Sequence, residues 1–351
     1  MITPRYLILL LTHDCNLNCA YCYRGANNTA QAMSVAMIEA VIRMMISSEK
    51  QCHVQLTGGE PTLVPHLIEH AAKILRNLRP AATLGIQTNG TLLNRSMAQM
   101  FKKYGIQVGV SLDGPMDIQQ QLRGSAASTL KGLKLLEAEG VTFRVTTVLS
   151  RQNIDHLNKL VLMLGAFPNA CGLGLDLLIQ KGLARESDLV FPPEPHQMES
   201  GLNRMMDALR LVNQRRFGQL QIRELETVAN AFAGKQHPYF CHAGTGESLA
   251  VCQDGSLFPC GQTAGDPRFF MGTIDTPDTF RSLPLKNFRL SHKDCIECPL
   301  YQRCPGDCHS RQYYNDEKTR RLACVMYQSL CKQFSGCESY SAKNKFPMSA
   351  R

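Results

Sequence analysis

The 351-residue sequence has no tryptophan, and aromatic residues make up only 7% of it. It has no aromatic-rich basic stripe of the kind that stacks single-stranded bases. Its net charge of +9, from 38 Lys+Arg against 29 Asp+Glu, therefore reads as a mostly solvated surface that can also attract an acidic substrate. No nucleic-acid partner is expected. No apolar run approaches membrane-spanning length, so no membrane association is expected either. A signal peptide is also lacking: the run Leu7 to Leu11 is shorter than a usual secretory core, and His13-Asp14 is not a small-residue cleavage site. The expected location is cytoplasmic. With 44% hydrophobic and 19% charged residues, the composition is that of a globular chain able to bury a sizeable core.

What the chain has in excess is cysteine. Fifteen cysteines in a large cytoplasmic chain point to metal or redox chemistry rather than a disulfide framework. Three stand at the front, ten lie from Cys241 to Cys337, and only Cys52 and Cys171 fall between. Those two read as small buried residues. The front array is Cys15-x3-Cys19-x2-Cys22. Three thiolates are one short of a closed tetrahedral zinc site and one short of the four irons of a [4Fe-4S] cluster. The array is thus either part of a zinc site whose fourth ligand lies elsewhere or a cluster loop with one iron left open.

Along the chain, apolar runs alternate with amphipathic stretches. Strands are expected over 6–12, 52–57, 83–88, 106–112, 143–150 and 172–179. Helices are expected after Ser34 and over 65–78, 92–104, 128–139 and 154–164. Alternation of this kind argues for a parallel sheet with helical crossovers. Six units are too few for a closed eight-unit barrel, so the expected fold is α/β, a partial (β/α)6 barrel. Residues 194–233 read as two bridging helices. From about residue 239 the texture changes to turns, Gly, Pro and cysteines. The expected division is 1–190, 191–238 and 239–351.

With Tyr21 directly before the third cysteine, the front array resembles the signature of the radical S-adenosylmethionine (radical SAM) superfamily. The resemblance implies that SAM chelates the open iron and that the reduced cluster cleaves it to a 5′-deoxyadenosyl radical. Gly58-Gly59-Glu60-Pro61 matches the family's GGEP motif, where backbone and Glu carboxylate receive the SAM ammonium. Gln87-Thr88-Asn89-Gly90 and Ser111-Leu112-Asp113-Gly114 resemble segments lining the SAM pocket, with Asn89 and Ser111 as the named contacts. Arg123 resembles an arginine that contacts the SAM carboxylate, which suits a guanidinium fork. No side-chain acid or base beyond cluster and SAM is expected to be catalytic.

The later cysteines, Cys241-x13-Gly255-x4-Cys260 and Cys295-x2-Cys298-x5-Cys304-x3-Cys308-x15-Cys324, resemble the seven-cysteine SPASM pattern. That resemblance implies two auxiliary [4Fe-4S] clusters: one on Cys241, Cys260 and Cys308, the other on Cys295, Cys298, Cys304 and Cys324. Cys252 is a candidate fourth ligand of the first, which is otherwise open. Cys331 and Cys337 lie past the pattern and are left without a role. Enzymes of this kind mostly modify peptides or proteins, so the expected function is oxidative modification or crosslinking of a ribosomally made peptide. The expected partners are that peptide or protein, a separate leader-binding protein, and an electron donor such as flavodoxin or ferredoxin. No leader-binding domain is expected ahead of Tyr6. The alternative is a small molecule or cofactor precursor such as a tetrapyrrole. Sulfatase maturation is less favoured, because maturases carry Asp after the cysteine equivalent to Cys260 and Gly261 stands here. A non-catalytic iron–sulfur carrier is disfavoured by GGEP and Arg123.

Overall fold

The computed structural model describes residues 4–25, 31–44, 51–234, 240–278, 285, 295, 298–301, 303–304 and 306–333. The apolar run Tyr6–Leu10 forms β1, and β2 (His53–Thr57), β3 (Thr83–Thr88), β4 (Ile106–Ser111), β5 (Phe143–Leu149) and β6 (Ala170–Leu177) follow. Each pairs in parallel with the next. Helices Val35–Met44, Pro65–Leu78, Arg95–Tyr104, Ala126–Ala138 and Leu157–Gly165 make the crossovers. Parallel strands in sequential order, joined by crossovers of one hand, put every helix on the same face. The other face is left to curl inward as a partial barrel.

Local chemistry sets these boundaries. Ser34 Oγ accepts from the Met37 amide at 3.2 Å and Asn94 Oδ1 from the Met97 amide at 3.0 Å, so each caps a helix start. Leu92 and Leu93 therefore stay outside the third helix, which begins at Arg95. The helix expected from Ile154 opens with a tight turn, Ile154–His156, before the α-helix at Leu157. The strands bury alternate residues against the helices, as in β2, where Val54 and Leu56 are fully buried.

The inward face is polar. A Cβ at Gly85 would lie 2.8 Å from Gln55 Oε1, one at Gly109 2.4 Å from Gln87 Oε1, and one at Gly172 2.8 Å from an Arg144 nitrogen. A long polar side chain thus lies over a glycine on the next strand, repeatedly, where a closed eight-strand barrel would stack aliphatics.

The chain departs from expectation at three places. Met116–Leu122 is a further helix. The two bridging helices, Pro195–Arg215 and Arg223–Phe232, are present, but between them β7 (Gln221–Ile222) pairs with β6. Finally, β8 (Ser248–Val251) pairs in parallel with β1, and β9 (Leu257–Phe258) runs antiparallel to β8. The order among the described residues is β7-β6-β5-β4-β3-β2-β1-β8-β9, so the sheet continues across residue 239. The last described helix, Glu317–Cys331, packs on both bridging helices. No described helix is long and apolar enough to cross a membrane.

Helix Ala126–Ala138 comes close to the loop after β3. A Cβ at Gly132 would stand 2.1 Å from the Gly90 carbonyl oxygen. Gly132→Ala gains about 1 kcal/mol of helix propensity but meets backbone that cannot yield without moving the loop, an overpacking cost of about 1–3 kcal/mol. The clash should win, giving a lower urea midpoint than wild type. A raised midpoint would show that the approach is not that close.

Candidate active site

The three front cysteines sit on the loop that leaves β1, and the rest of the site is built to hold that loop. Gly59 N donates to Thr12 O and Glu60 N to Asp14 O, both at 2.7 Å, so the loop after β2 is zipped to the segment entering Cys15. The contact leaves no room for side chains. A Cβ at Gly59 would lie 1.9 Å from Asp14 O, and one at Gly58, where φ is +137°, 2.4 Å from Thr12 O. The glycine pair is required by the cysteine loop itself, whatever else approaches it.

Glu60 is 1% exposed. Its Oε1 accepts from Thr62 N (3.0 Å), Thr62 Oγ1 (2.6 Å) and Thr88 Oγ1 (2.6 Å), and its Oε2 from Asn89 N (2.7 Å). Burial pushes its pKa up, and the bonds from Asn89, Thr62 and Thr88 pull the other way. The carboxylate is thus the tie between the ends of β2 and β3, a duty the motif alone did not reveal. Pro61 begins the short turn that follows. Asn89 extends the tie: its amide donates to Asn16 Oδ1 at 2.9 Å, and Asn16 donates to Thr91 Oγ1 at 2.8 Å, inside the cysteine loop's own reach. Ser111 Oγ accepts from Gln87 at 2.9 Å.

A second buried acid holds the loop from the other side. Asp113 is fully buried and accepts from the Tyr21 phenol, from Arg123 Nε at 2.7 Å and from Val148 N at 2.9 Å. The Arg123 guanidinium also stands 5.2 Å from the Tyr21 ring centroid. Ala20 N donates to Leu122 O at 2.9 Å, at the end of the unexpected helix. Its Gln119 side chain accepts from Asp113 N at 2.8 Å. Asp113 is therefore the hub that fixes Tyr21 and Arg123, and Arg123 keeps its terminal amino groups clear of that bond.

Cys15, Cys19 and Cys22 act on one another electrostatically. Burial raises the Cys15 thiol pKa and pushes that of Cys19 up to about 11, with the neighbouring thiols adding to both. Among the later cysteines two groups form. Burial drives Cys241 up to about 12, with Cys308 and then Cys260 contributing, while Cys260 in turn feels Cys308. Cys304 and Cys324 are exposed, yet partial loss of water around each thiol lifts both to about 11, and each feels Cys295 and Cys298. Cys308 thus belongs with Cys241 and Cys260, although it lies between Cys304 and Cys324 in sequence.

Cys252 packs in the same apolar cluster as Cys241 and Cys260. Its charged neighbours are Asp254, Arg24 and Lys181. β8 ends at Val251, so Cys252 stands at the start of the turn that follows. Cys331 lies two helical turns beyond Cys324, about 10 Å along the axis, fully buried in the core. Cys337 lies outside the described residues. Among the described residues, no three His, Cys, Asp or Glu side chains converge as ligands of one metal ion.

A cavity of about 720 Å³ opens beside the front loop, within the range of ligand sites. Its wall includes Cys15, Cys22, Gly58 and Gly59, together with Lys181 and Cys252. Lys181 follows β6 and was not singled out by the sequence, where it reads as one charge in a polar loop.

Residues 9–164 match the model of the radical SAM superfamily. The chain is a radical SAM enzyme. It is 26% identical to the cysteine-type anaerobic sulfatase-maturating enzyme of Clostridium novyi over 96% of either chain. It is also 26% identical to the AdoMet-dependent heme synthase of Methanosarcina barkeri, over 88% of this chain and 92% of that one. Among solved structures, native anSMEcpe with bound AdoMet and Cp18Cys peptide matches 97% of this chain and 99% of its own, with a TM-score of 0.74 and 20% identity. That last likeness is one of fold. Membership in the superfamily carries a [4Fe-4S] cluster and SAM as cofactors. The donor set fits them: three mutually interacting thiols on one loop, and a cavity that this loop lines beside a glycine pair.

Two outcomes follow. In Glu60→Gln one acceptor oxygen becomes an amide that donates toward groups which themselves donate, and each orphaned buried donor costs about 1–3 kcal/mol. Glu60→Gln should lower the unfolding midpoint as well as iron retention, and an unchanged midpoint would refute the tie between β2 and β3. Second, a thiol whose folded pKa is raised is held neutral by the fold. The stability it contributes is complete below its unfolded pKa of about 8.5 and is lost as pH rises through its folded value. Metal-free protein should therefore hold a constant Tm from pH 7 to about 8.5 and lose stability steadily toward pH 11–12 as Cys19 and Cys241 ionise. A flat Tm to pH 11 would contradict the burial of these thiols.

Proposed function

We propose that this radical SAM enzyme oxidatively modifies a ribosomally made peptide or protein, forming a crosslink or another bond at the expense of two hydrogens. The observation that carries the reading is the shared cavity, where the front cysteine loop and residues of the cysteine-rich segment line one space. A peptide side chain entering there stands beside both. The anSMEcpe structure, with its bound peptide, supports a peptide in a fold of this kind.

In this reading Cys15, Cys19 and Cys22 hold the catalytic cluster, Gly58 and Gly59 leave the backbone open to SAM, and Arg123 takes the SAM carboxylate on the amino groups that Asp113 leaves available. When bound, cluster and SAM supply a 5′-deoxyadenosyl radical that removes one hydrogen atom from the substrate. Cys241, Cys260 and Cys308 would hold one auxiliary cluster and Cys295, Cys298, Cys304 and Cys324 a second, and such a cluster would supply an acceptor for the remaining electron, the accompanying proton passing to solvent. The protein's own part is to orient and to exclude water. A low-potential electron carrier supplies the reducing electron.

Formylglycine formation is less well supported, although a sulfatase maturase is among the relatives. At the position after Cys260 stands Gly261, with no carboxylate. A Cβ placed there would find Ile8 at 3.8 Å and the Tyr23 hydroxyl at 3.9 Å. Burial pushes that phenol up to about 12, so it stays protonated and is no base at neutral pH.

The test is intact mass of the product of the nearest short open reading frame to this gene, co-expressed anaerobically with the enzyme or with a Cys15/Cys19/Cys22→Ala triple variant. Loss of two hydrogens per modified site, absent with the variant, is the expected result. An unchanged mass alongside vigorous SAM cleavage by the enzyme alone would overturn it in favour of a small-molecule substrate, the class of the heme synthase relative.

A further inference from the structure

Lys181 stands where the barrel meets the cysteine-rich segment. Its ammonium donates to the carbonyl oxygens of Gln262 (2.7 Å) and Ala264 (3.0 Å), and lies 5.3 Å from the Tyr314 ring centroid. Two of its three N–H groups are thereby fixed, and the side chain lines the cavity shared with Cys15 and Cys22. The acids nearby are committed elsewhere. Asp266 accepts from Arg268 Nε (2.9 Å) and Nη2 (2.7 Å) and from the Tyr314 hydroxyl (2.6 Å). Asp254, the acid on the cavity wall, accepts from Ser256 N and Oγ, each at 2.9 Å. Among the described residues no carboxylate forms an ion pair with Lys181. The other wall cation, Arg24, binds the neutral Nδ1 of His13 and likewise has no carboxylate ion pair among the described residues. The cavity's acid is satisfied within the protein, whereas neither wall cation is matched by a carboxylate among the described residues. A half-buried charge is costly unless paired.

We propose that Lys181 is the specificity-determining residue for the substrate, binding a substrate carboxylate and so turning the reacting group toward the front cysteine loop. The inference rests on the reading of this cavity as the substrate site, and it names the chemical class that site takes: an acidic side chain, or a chain-terminal carboxylate, close to the modified residue. A compact ammonium held by two carbonyls presents its remaining donor as a point charge, which favours a carboxylate over a neutral amide of the same shape.

The experiment uses iron-loaded enzyme with SAM under anaerobic conditions, as wild type, Lys181→Met and Lys181→Arg. Each is titrated calorimetrically with acetylated, amidated pentapeptides of alanine carrying Glu, Gln or Lys at the centre. Wild type should bind the Glu peptide about tenfold or more tightly than the Gln peptide. Lys181→Met should lose that preference and Lys181→Arg should keep it, a rescue that a purely structural role would not show. Iron content reports whether each variant has folded, and the wild-type Glu-to-Gln comparison stands without any variant. Equal affinity for the two peptides, no binding of either, or a preference that survives in folded Lys181→Met overturns the proposal. A Glu preference lost in Lys181→Met, together with an unchanged peptide mass in the co-expression experiment, would sustain the carboxylate site and sink only the peptide reading.

Discussion

The structure depends on one close approach: the backbone of Gly58-Gly59 lies against that of Thr12 to Asp14, with two amide-to-carbonyl bonds of 2.7 Å between the segments. It fixes where the cysteine loop leaves β1 relative to the end of β2. Every other element of the site is referred to that contact. Glu60 carries it to β3 through Thr62, Thr88 and Asn89, and Asp113 meets the loop from the far side through Tyr21 and Arg123. Both acids are almost fully buried, and each is tolerable there only because several donors converge on it. The loop that presents three thiols is thus gripped by two carboxylates that need not touch a ligand to be indispensable.

How much of the fold was legible depended on how local its causes are. Strands such as Thr83–Thr88 and helices such as Pro65–Leu78 begin and end where the apolar pattern and its bounding residues say, because burial of one face decides them. The helix Met116–Leu122 escaped because its pattern is MDIQQQL, with little apolar periodicity. It is fastened at its start by a bond from Asp113 N to the Gln119 side chain and at its end by a tertiary bond from Ala20 N to Leu122 O. Strand β7 is two residues long and exists only as a partner of β6. Strand β8 pairs with β1 across some 240 residues of sequence, and no local signal announces such a pairing.

The site was legible as motifs and illegible as roles. The cysteine array and GGEP are read directly from spacing, but spacing does not say that the Glu60 carboxylate turns inward to tie strands. Asp113 precedes a glycine at a strand end and so resembles an ordinary turn residue; only its four-sided burial reveals the hub. Cys252 fitted a ligand count, and the fold sets it in one apolar cluster with Cys241 and Cys260, with Arg24, Lys181 and Asp254 as its charged surroundings.

That position has a topological cause. Strands β1 and β8 are parallel neighbours in register, Leu9 facing Val251, so they end at the same level. Parallel strands open their following loops on the same edge of a sheet. The loop after β1 carries Cys15 to Cys22, and the turn after β8 carries Cys252 and Asp254. The two are therefore delivered to one cavity by sheet geometry alone, before any ligand binds. Lys181 arrives from the end of β6 and closes the arrangement by bonding Gln262 and Ala264, which belong to the cysteine-rich segment beyond β9. Barrel and cysteine-rich segment are thus joined through the wall of the site itself, and any anion that draws on Lys181 also acts on the seam that holds them together.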